Sequence, residues 1–146
     1  MASRRKGRIL AFQALYSWET SGVAAGEAFD LSWLEQDARE DLGIGGIADF
    51  SRLLVTGTIE NIKAVDTMIR SHLKKWDFSR IKQVDLAVLR MSTYTLMYQT
   101  DMHPSIVIHE AIGISKEFGT DESHRFVNGV LDSIRKTLQN ASASKD

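Results

Sequence analysis

The chain has 146 residues and 43% of them are hydrophobic, which suits one domain or two small subdomains with a shared core and excludes wholesale disorder. It has no cysteine, so disulfides, thiolate metal sites and a cysteine nucleophile are excluded. The net charge is −1, and no apolar run approaches the roughly 20 residues that cross a bilayer. We therefore expect a cytoplasmic protein without a membrane segment.

Apolar residues recur at helical spacing along most of the chain, and no stretch alternates in the way a strand does. The single proline leaves long segments free to be helical. The predicted fold class is all-α, with two packed three-helix bundles. The six predicted helices cover about Arg4–Thr20, Ala28–Asp41, Ile47–Leu73, Arg80–Tyr98, Pro104–Phe118 and a last segment that Thr120, Asp121 or Ser123 caps and that ends near Leu138.

The third and fourth helices carry the clearest patterns. In the third, Leu53 belongs to the apolar stripe, and Gly57 falls on the same stripe, where a missing side chain permits close helix approach. The fourth is apolar on most faces, which predicts a central, buried helix. Trp76–Ser79 separates these two helices. The break gives three expected parts: an N-terminal bundle with an arginine-rich start at 1–76, a C-terminal bundle at 77–140 and a disordered tail at 141–146.

The sequence offers no constellation for catalysis or metal binding. Its four histidines lack the His-Glu-x-x-His spacing, and neither a Walker-type nor a dinucleotide-binding glycine loop is present. We therefore expect no catalytic residue, no metal and no cofactor, and predict that the chain is not an enzyme.

Charge is distributed unevenly. The first eight residues contain no acid and four bases, namely Arg4, Arg5, Lys6 and Arg8, whereas residues 19–49 contain eight acids against the single base Arg39. Cations are unfavourable at a helix N-terminus. The cluster is therefore either a solvated helix start or a contact for a polyanion.

Five segments, in order, resemble the NusB family of transcription antitermination factors over about residues 4–135. They are Ala11–Tyr16, Phe50–Gly57, Val84–Arg90, Ile108–Ile112 and Ser123–Asp132. The last, with Phe-Val-Asn-Gly-Val-Leu-Asp, is the most specific. The chain departs from the family pattern at His109, where asparagine is usual, and at Ile112–Lys116, where Val-Glu-Leu-Ala-Lys is common. Gly113, in that stretch, costs the helix about 1 kcal/mol relative to alanine.

The resemblance implies a non-catalytic factor that pairs with NusE, a ribosomal protein of the small subunit, and binds the boxA element of nascent rRNA. The complex would help RNA polymerase to read through terminators and would support rRNA maturation. The implied RNA-binding residues are Arg4, Arg5, Lys6, Arg8, Gln13, Tyr16, Glu110 and Phe126. The implied NusE-facing residues are Asp85, Asp121, Glu122 and His124. The chain is expected to be a monomer or a homodimer.

Some roles stay open at this stage. Tyr16, Tyr94 and Phe126 can stack on RNA bases or pack in the core. Glu110 and Asp85 are each either paired, for example with Arg90, or exposed at a site, because a buried unpaired carboxylate is costly. Asn128 and Asp132 are expected to make hydrogen bonds between helices. Two other functions remain: a helical scaffold that binds only proteins, and the RNA-binding domain of an rRNA cytosine methyltransferase, whose catalytic domain needs a cysteine that this chain lacks.

Overall fold

A computed structural model describes residues 2–22, 47–74 and 77–143 of the chain. Within these ranges there are six α-helices and no strand, which confirms the all-α prediction. The helices are α1 (Ala2–Ser21), α2 (Ile47–Glu60), α3 (Ile62–Arg70), α4 (Gln83–Tyr98), α5 (Pro104–Phe118) and α6 (Ser123–Ala143). The predicted helix Ala28–Asp41 lies outside the described residues.

Helix α4 is the centre of the fold, as its apolar faces predict. It packs against each of the other five helices, and every residue from 85 to 93 is buried. Buried apolar side chains of all six helices form one continuous cluster around α4. The division into two bundles near residue 76 stays a prediction, since the core runs across it.

The predicted third helix is interrupted at Asn61. Its amide Nδ2 donates to the carbonyl of Gly57 at 2.8 Å, so the side chain bonds to the preceding turn and α2 ends there. The backbone continues almost directly into α3, because the amide of Val65 still bonds to the carbonyl of Asn61. Placing Leu53 in the core was wrong, since 63% of its surface is exposed.

The ends of the later helices follow local chemistry. A short 3₁₀ turn, Phe78–Arg80, precedes α4, so that helix begins three residues later than predicted. The N-terminus of α5 is capped by His103, whose Nδ1 accepts from the amide of Ser105, with Pro104 in the first turn as predicted. Helix α6 continues past Leu138 to Ala143, so the first residues of the predicted tail are helical.

Gly57 lets helices α2 and α4 approach, as predicted. A Cβ at this position would collide with the ring of Tyr94. The ring of Tyr94 is partly buried against the core and packs on the ring of Tyr98, with centroids 5.4 Å apart. Tyr94 is therefore a packing residue here, and not a surface for RNA bases.

A buried ion network ties three helices together. The Arg90 guanidinium of α4 donates to both carboxylate oxygens of Asp66 at 2.9 Å and lies 3.1 Å from Glu19 near the end of α1. Burial alone lowers the pKa of Arg90, but the hydrogen bonds and charges of these two carboxylates together raise it. The network anchors the C-terminal end of α1 to α3 and α4.

Candidate nucleic-acid interface

The arginines at the start of α1 meet a carboxylate of α5. Arg5 Nε donates to Glu110 Oε2 at 3.2 Å, and Arg8 Nη1 lies 3.9 Å from Glu110 Oε1. Arg4 lies over the ring of Phe50, with its guanidinium carbon 4.8 Å from the centroid. The predicted basic cluster is thus partly neutralised and partly held against the protein, not freely solvated.

Arg5 and Arg8 have different environments although both belong to the predicted cluster. The side chain of Arg5 is 53% exposed, whereas that of Arg8 is 10% exposed. Arg8 Nη2 bonds to the sulfur of Met102 at 3.2 Å. Burial lowers the pKa of the Arg8 guanidinium, against the opposing effect of Glu110. Arg8 is therefore not part of a solvated helix start, which was one of the two interpretations of the cluster, and Arg4, Arg5 and Lys6 supply the accessible charge.

Gly113 makes room for Arg5 on the surface of α5. A Cβ at this glycine would lie 3.0 Å from Arg5 Nη2. Glu110 and Gly113 are three residues apart, so they share one face of α5. Gly113, which departs from the family pattern, therefore lets the Arg5 side chain lie across α5 and reach Glu110.

An aromatic groove lies on the same side of α1, towards α5. Phe12 packs on Phe118 with ring centroids 5.3 Å apart, so the end of α5 lies against the middle of α1. The groove has a volume of about 270 Å³, and the residues lining it are Phe12, Gln13, Tyr16, Ser17, Val84 and Phe118. The structure thus brings together Gln13 and Tyr16, two predicted RNA-binding residues.

Arg5, Phe12 and Tyr16 stand at spacings of seven and four residues, so they lie on one face of α1. Tyr16 is 39% exposed and offers its ring to a ligand. Phe118 was missed as a site residue because its sequence position marks only the end of a helix before Gly119. The spacing of Arg5, Phe12 and Tyr16 was the one signal that could have pointed to a shared face.

The predicted NusE-facing residues gather at the start of α4 and the loop before α6. Lys82, the N-cap residue of α4, donates from Nζ to Thr120 Oγ1 at 3.3 Å, which holds that loop beside the helix start. Asp121 and Glu122 are exposed in the loop, and His124 is half-buried in the first turn of α6.

Asp85 lies in the first turn of α4 and is 5% exposed. One of its carboxylate oxygens is buried and accepts no hydrogen bond from the described residues. The suggested pairing with Arg90 is wrong, because a separation of five residues places the two side chains on different sides of the helix, and Arg90 binds Asp66 and Glu19 instead.

On α6, Phe126 is half-buried and packs against the core. This placement does not decide between core packing and stacking on an RNA base. Asp132 bonds to Arg135 and Lys136 of its own helix, and these contacts lower the pKa of its carboxyl. The expectation of an inter-helix bond from Asp132 is therefore wrong. Asn128 is exposed.

Among the described residues, no group of histidines and carboxylates is arranged to hold a metal ion. No helix in the same ranges is both long and apolar enough to cross a membrane.

Comparison with known proteins identifies the family of the chain. The sequence profile of the NusB family matches residues 5–136. A transcription antitermination protein NusB of Treponema pallidum is 47% identical over 137 residues, covering 92% of this chain and 93% of the relative. Its counterpart from Geobacter sulfurreducens is 42% identical over 138 residues, covering 94% and 97%.

Solved structures show the same likeness. NusB of T. maritima superposes with a TM-score of 0.72 at 35% identity, covering 91% of this chain and 90% of that one. Antitermination factor NusB in a complex with NusE and dsRNA superposes with a TM-score of 0.80 at 26% identity, covering 94% and 98%. The profile match and the curated relatives extend over nearly the whole chain, and the chain belongs to the NusB family.

Proposed function

We propose that this chain is a non-catalytic transcription antitermination factor that binds boxA-type RNA in nascent rRNA together with NusE, in the cytoplasm. The complex would join RNA polymerase, promote read-through and support maturation of rRNA transcripts. The observation that carries the proposal is the shared face of α1, where the exposed Arg5 and an aromatic groove lie side by side.

The two parts of this face suit different parts of an RNA strand. Arg5, with Arg4 and Lys6 nearby in the sequence, supplies positive charge for phosphates, which gives affinity without sequence choice. The groove supplies aromatic surface for an unstacked base, and the Gln13 amide supplies both a donor and an acceptor for a base edge. Arg5 and Gln13 are eight residues apart, about 12 Å along the helix, so one short single strand can contact both.

NusE is proposed to bind beside the groove, at Asp85, Asp121, Glu122 and His124. Val84 lines the groove and Asp85 follows it directly, so a protein seated on the start of α4 would border the bound RNA. A solved NusB structure that contains both NusE and dsRNA supports the proposal that this chain has both partners. The buried Asp85 oxygen has no hydrogen bond within the described residues, and it would accept one if NusE supplies a donor.

Fluorescence anisotropy tests the proposal with a labelled boxA-type RNA and a scrambled RNA of equal length, each with and without NusE. We expect NusE to tighten binding of the boxA-type RNA more than binding of the scrambled RNA. Absence of any gain with NusE, at low salt and with the matching RNA, would overturn the proposal and favour a scaffold that binds only proteins.

A pair of tyrosine variants locates the base contact. Tyr16→Ala should weaken binding of the boxA-type RNA by about 1–3 kcal/mol, the usual contribution of base stacking on an aromatic ring. Tyr98→Ala is the matched control, since Tyr98 is 45% exposed and stands about 20 Å along α4 from Val84 at the groove. Equal effects of the two variants would remove the groove from the RNA site.

A further inference from the structure

Glu110 occupies an unusual position for a residue in an RNA-binding surface. Its carboxylate lies against the two arginines that an RNA phosphate would otherwise approach, 3.2 Å from Arg5 Nε and 3.9 Å from Arg8 Nη1. A carboxylate and a phosphate are both anions that accept hydrogen bonds from guanidinium groups. In the free protein, Glu110 therefore fills the place of a phosphate.

The local structure favours this closed arrangement. Gly113, three residues after Glu110, leaves the space in which the end of the Arg5 side chain lies. The Glu110 side chain is only 18% exposed, so solvent screens it less than a surface carboxylate. Arg8 is buried beside it, and Glu110 is the carboxylate that the structure places within 4 Å of that guanidinium.

We propose that Glu110 is an internal competitor of RNA, which holds Arg5 in the free protein and so lowers its affinity for every RNA. This inference rests on the proposed function and assigns Glu110 a role other than direct contact with a base. An RNA phosphate must displace the Glu110 carboxylate from Arg5 before it can bind there. The cost is the same for any sequence, so binding depends more strongly on the groove and on NusE.

The decisive variant is Glu110→Gln, which keeps the shape of the side chain and removes its charge. Partly exposed ion pairs contribute a few tenths of a kcal/mol to about 1 kcal/mol, so RNA affinity should rise about two- to fivefold. The rise should be equal for the boxA-type and the scrambled RNA.

Two controls separate pairing with Arg5 from a general effect of charge. Glu60→Gln removes the same charge from the exposed end of α2 and should leave RNA affinity unchanged. In the background of Arg5→Ala, Glu110→Gln should give no further gain, because the pair that it opens is already absent. A gain of the same size in that background would overturn the proposal.

A second variant covers the case in which Glu110→Gln unfolds the chain by leaving Arg8 without its counter-ion. Gly113→Ala keeps the carboxylate but crowds Arg5 Nη2, and alanine favours the helix more than glycine does. It should raise the affinity for both RNAs in the same direction, by a smaller factor.

The outcomes distinguish this inference from the proposed function. If the wild-type chain with NusE binds the boxA-type RNA but neither variant gains affinity, the role of Glu110 as a competitor is wrong and the proposed function stands. A loss of boxA-type binding alone in Glu110→Gln would make Glu110 a base contact, which also contradicts the competitor role. If the wild type with NusE does not bind, the proposed function itself fails.

Discussion

The ion network of Arg90 gives the sharpest prediction about stability. Arg90→Met keeps most of the apolar stem but leaves Asp66, a mostly buried carboxylate, without its two hydrogen bonds of 2.9 Å. Removing one partner of a buried ion pair costs about 3–5 kcal/mol. Glu19 is less buried and can reach solvent, so we expect a loss near the lower end of that range, about 3 kcal/mol.

Urea denaturation, followed by the helical circular dichroism signal, measures this loss. With a slope of about 2 kcal/mol per molar urea, the midpoint should fall by about 1.5 M. The double variant Asp66→Leu with Arg90→Met should regain part of the loss, because an apolar pair leaves no charge uncompensated. Arg52→Met is the matched control: its pair with Asp49 is a surface contact of 3.7 Å and contributes less than about 1 kcal/mol. A loss in Arg90→Met no larger than in this control would refute the reasoning.

Two further predictions concern residues whose surroundings are fixed by the fold. Gly57→Ala should destabilise the chain by up to about 2 kcal/mol, because overpacking against Tyr94 costs about 1–3 kcal/mol and helix propensity returns about 1. Gly129→Ala, with open space around its Cβ, should instead stabilise the chain, and equal shifts of the two variants in thermal unfolding would contradict this difference. Asp85→Asn should raise the free energy of unfolding by about 1 kcal/mol, since relief of a buried charge exceeds the loss of a favourable negative charge at the helix N-terminus. The same variant should weaken NusE binding in calorimetry. A variant less stable than the wild type would argue against this account.

Local sequence chemistry predicted much of the fold. Pro104 and Gly119 bracket α5 where the pattern placed its ends, and the apolar faces of α4 identified the central helix. These features depend on neighbours within one or two turns, which a sequence displays directly. The exposure of Leu53 was not predictable in this way, because it depends on which side of α2 the other helices cover.

The candidate site was only partly predictable, for a related reason. The family motifs singled out Gln13, Tyr16 and Glu110. The structure places Gln13 and Tyr16 in the groove, and it places Glu110 on α5 against Arg5. The burial of Arg8 and the space that Gly113 leaves for Arg5 depend on contacts between residues about a hundred positions apart in the chain. Charge clustering shows where bases lie in a sequence, but it does not show which of them a distant carboxylate will hold.

Mapping of amide chemical shifts by NMR tests the central claim most directly, by titrating the boxA-type RNA into the labelled chain with NusE bound. The account predicts that the largest changes fall at the face of α1 and α5 that carries Arg5, Gln13, Tyr16 and Phe118. Changes confined to α3 and the second half of α6, with this face unaffected, would contradict it.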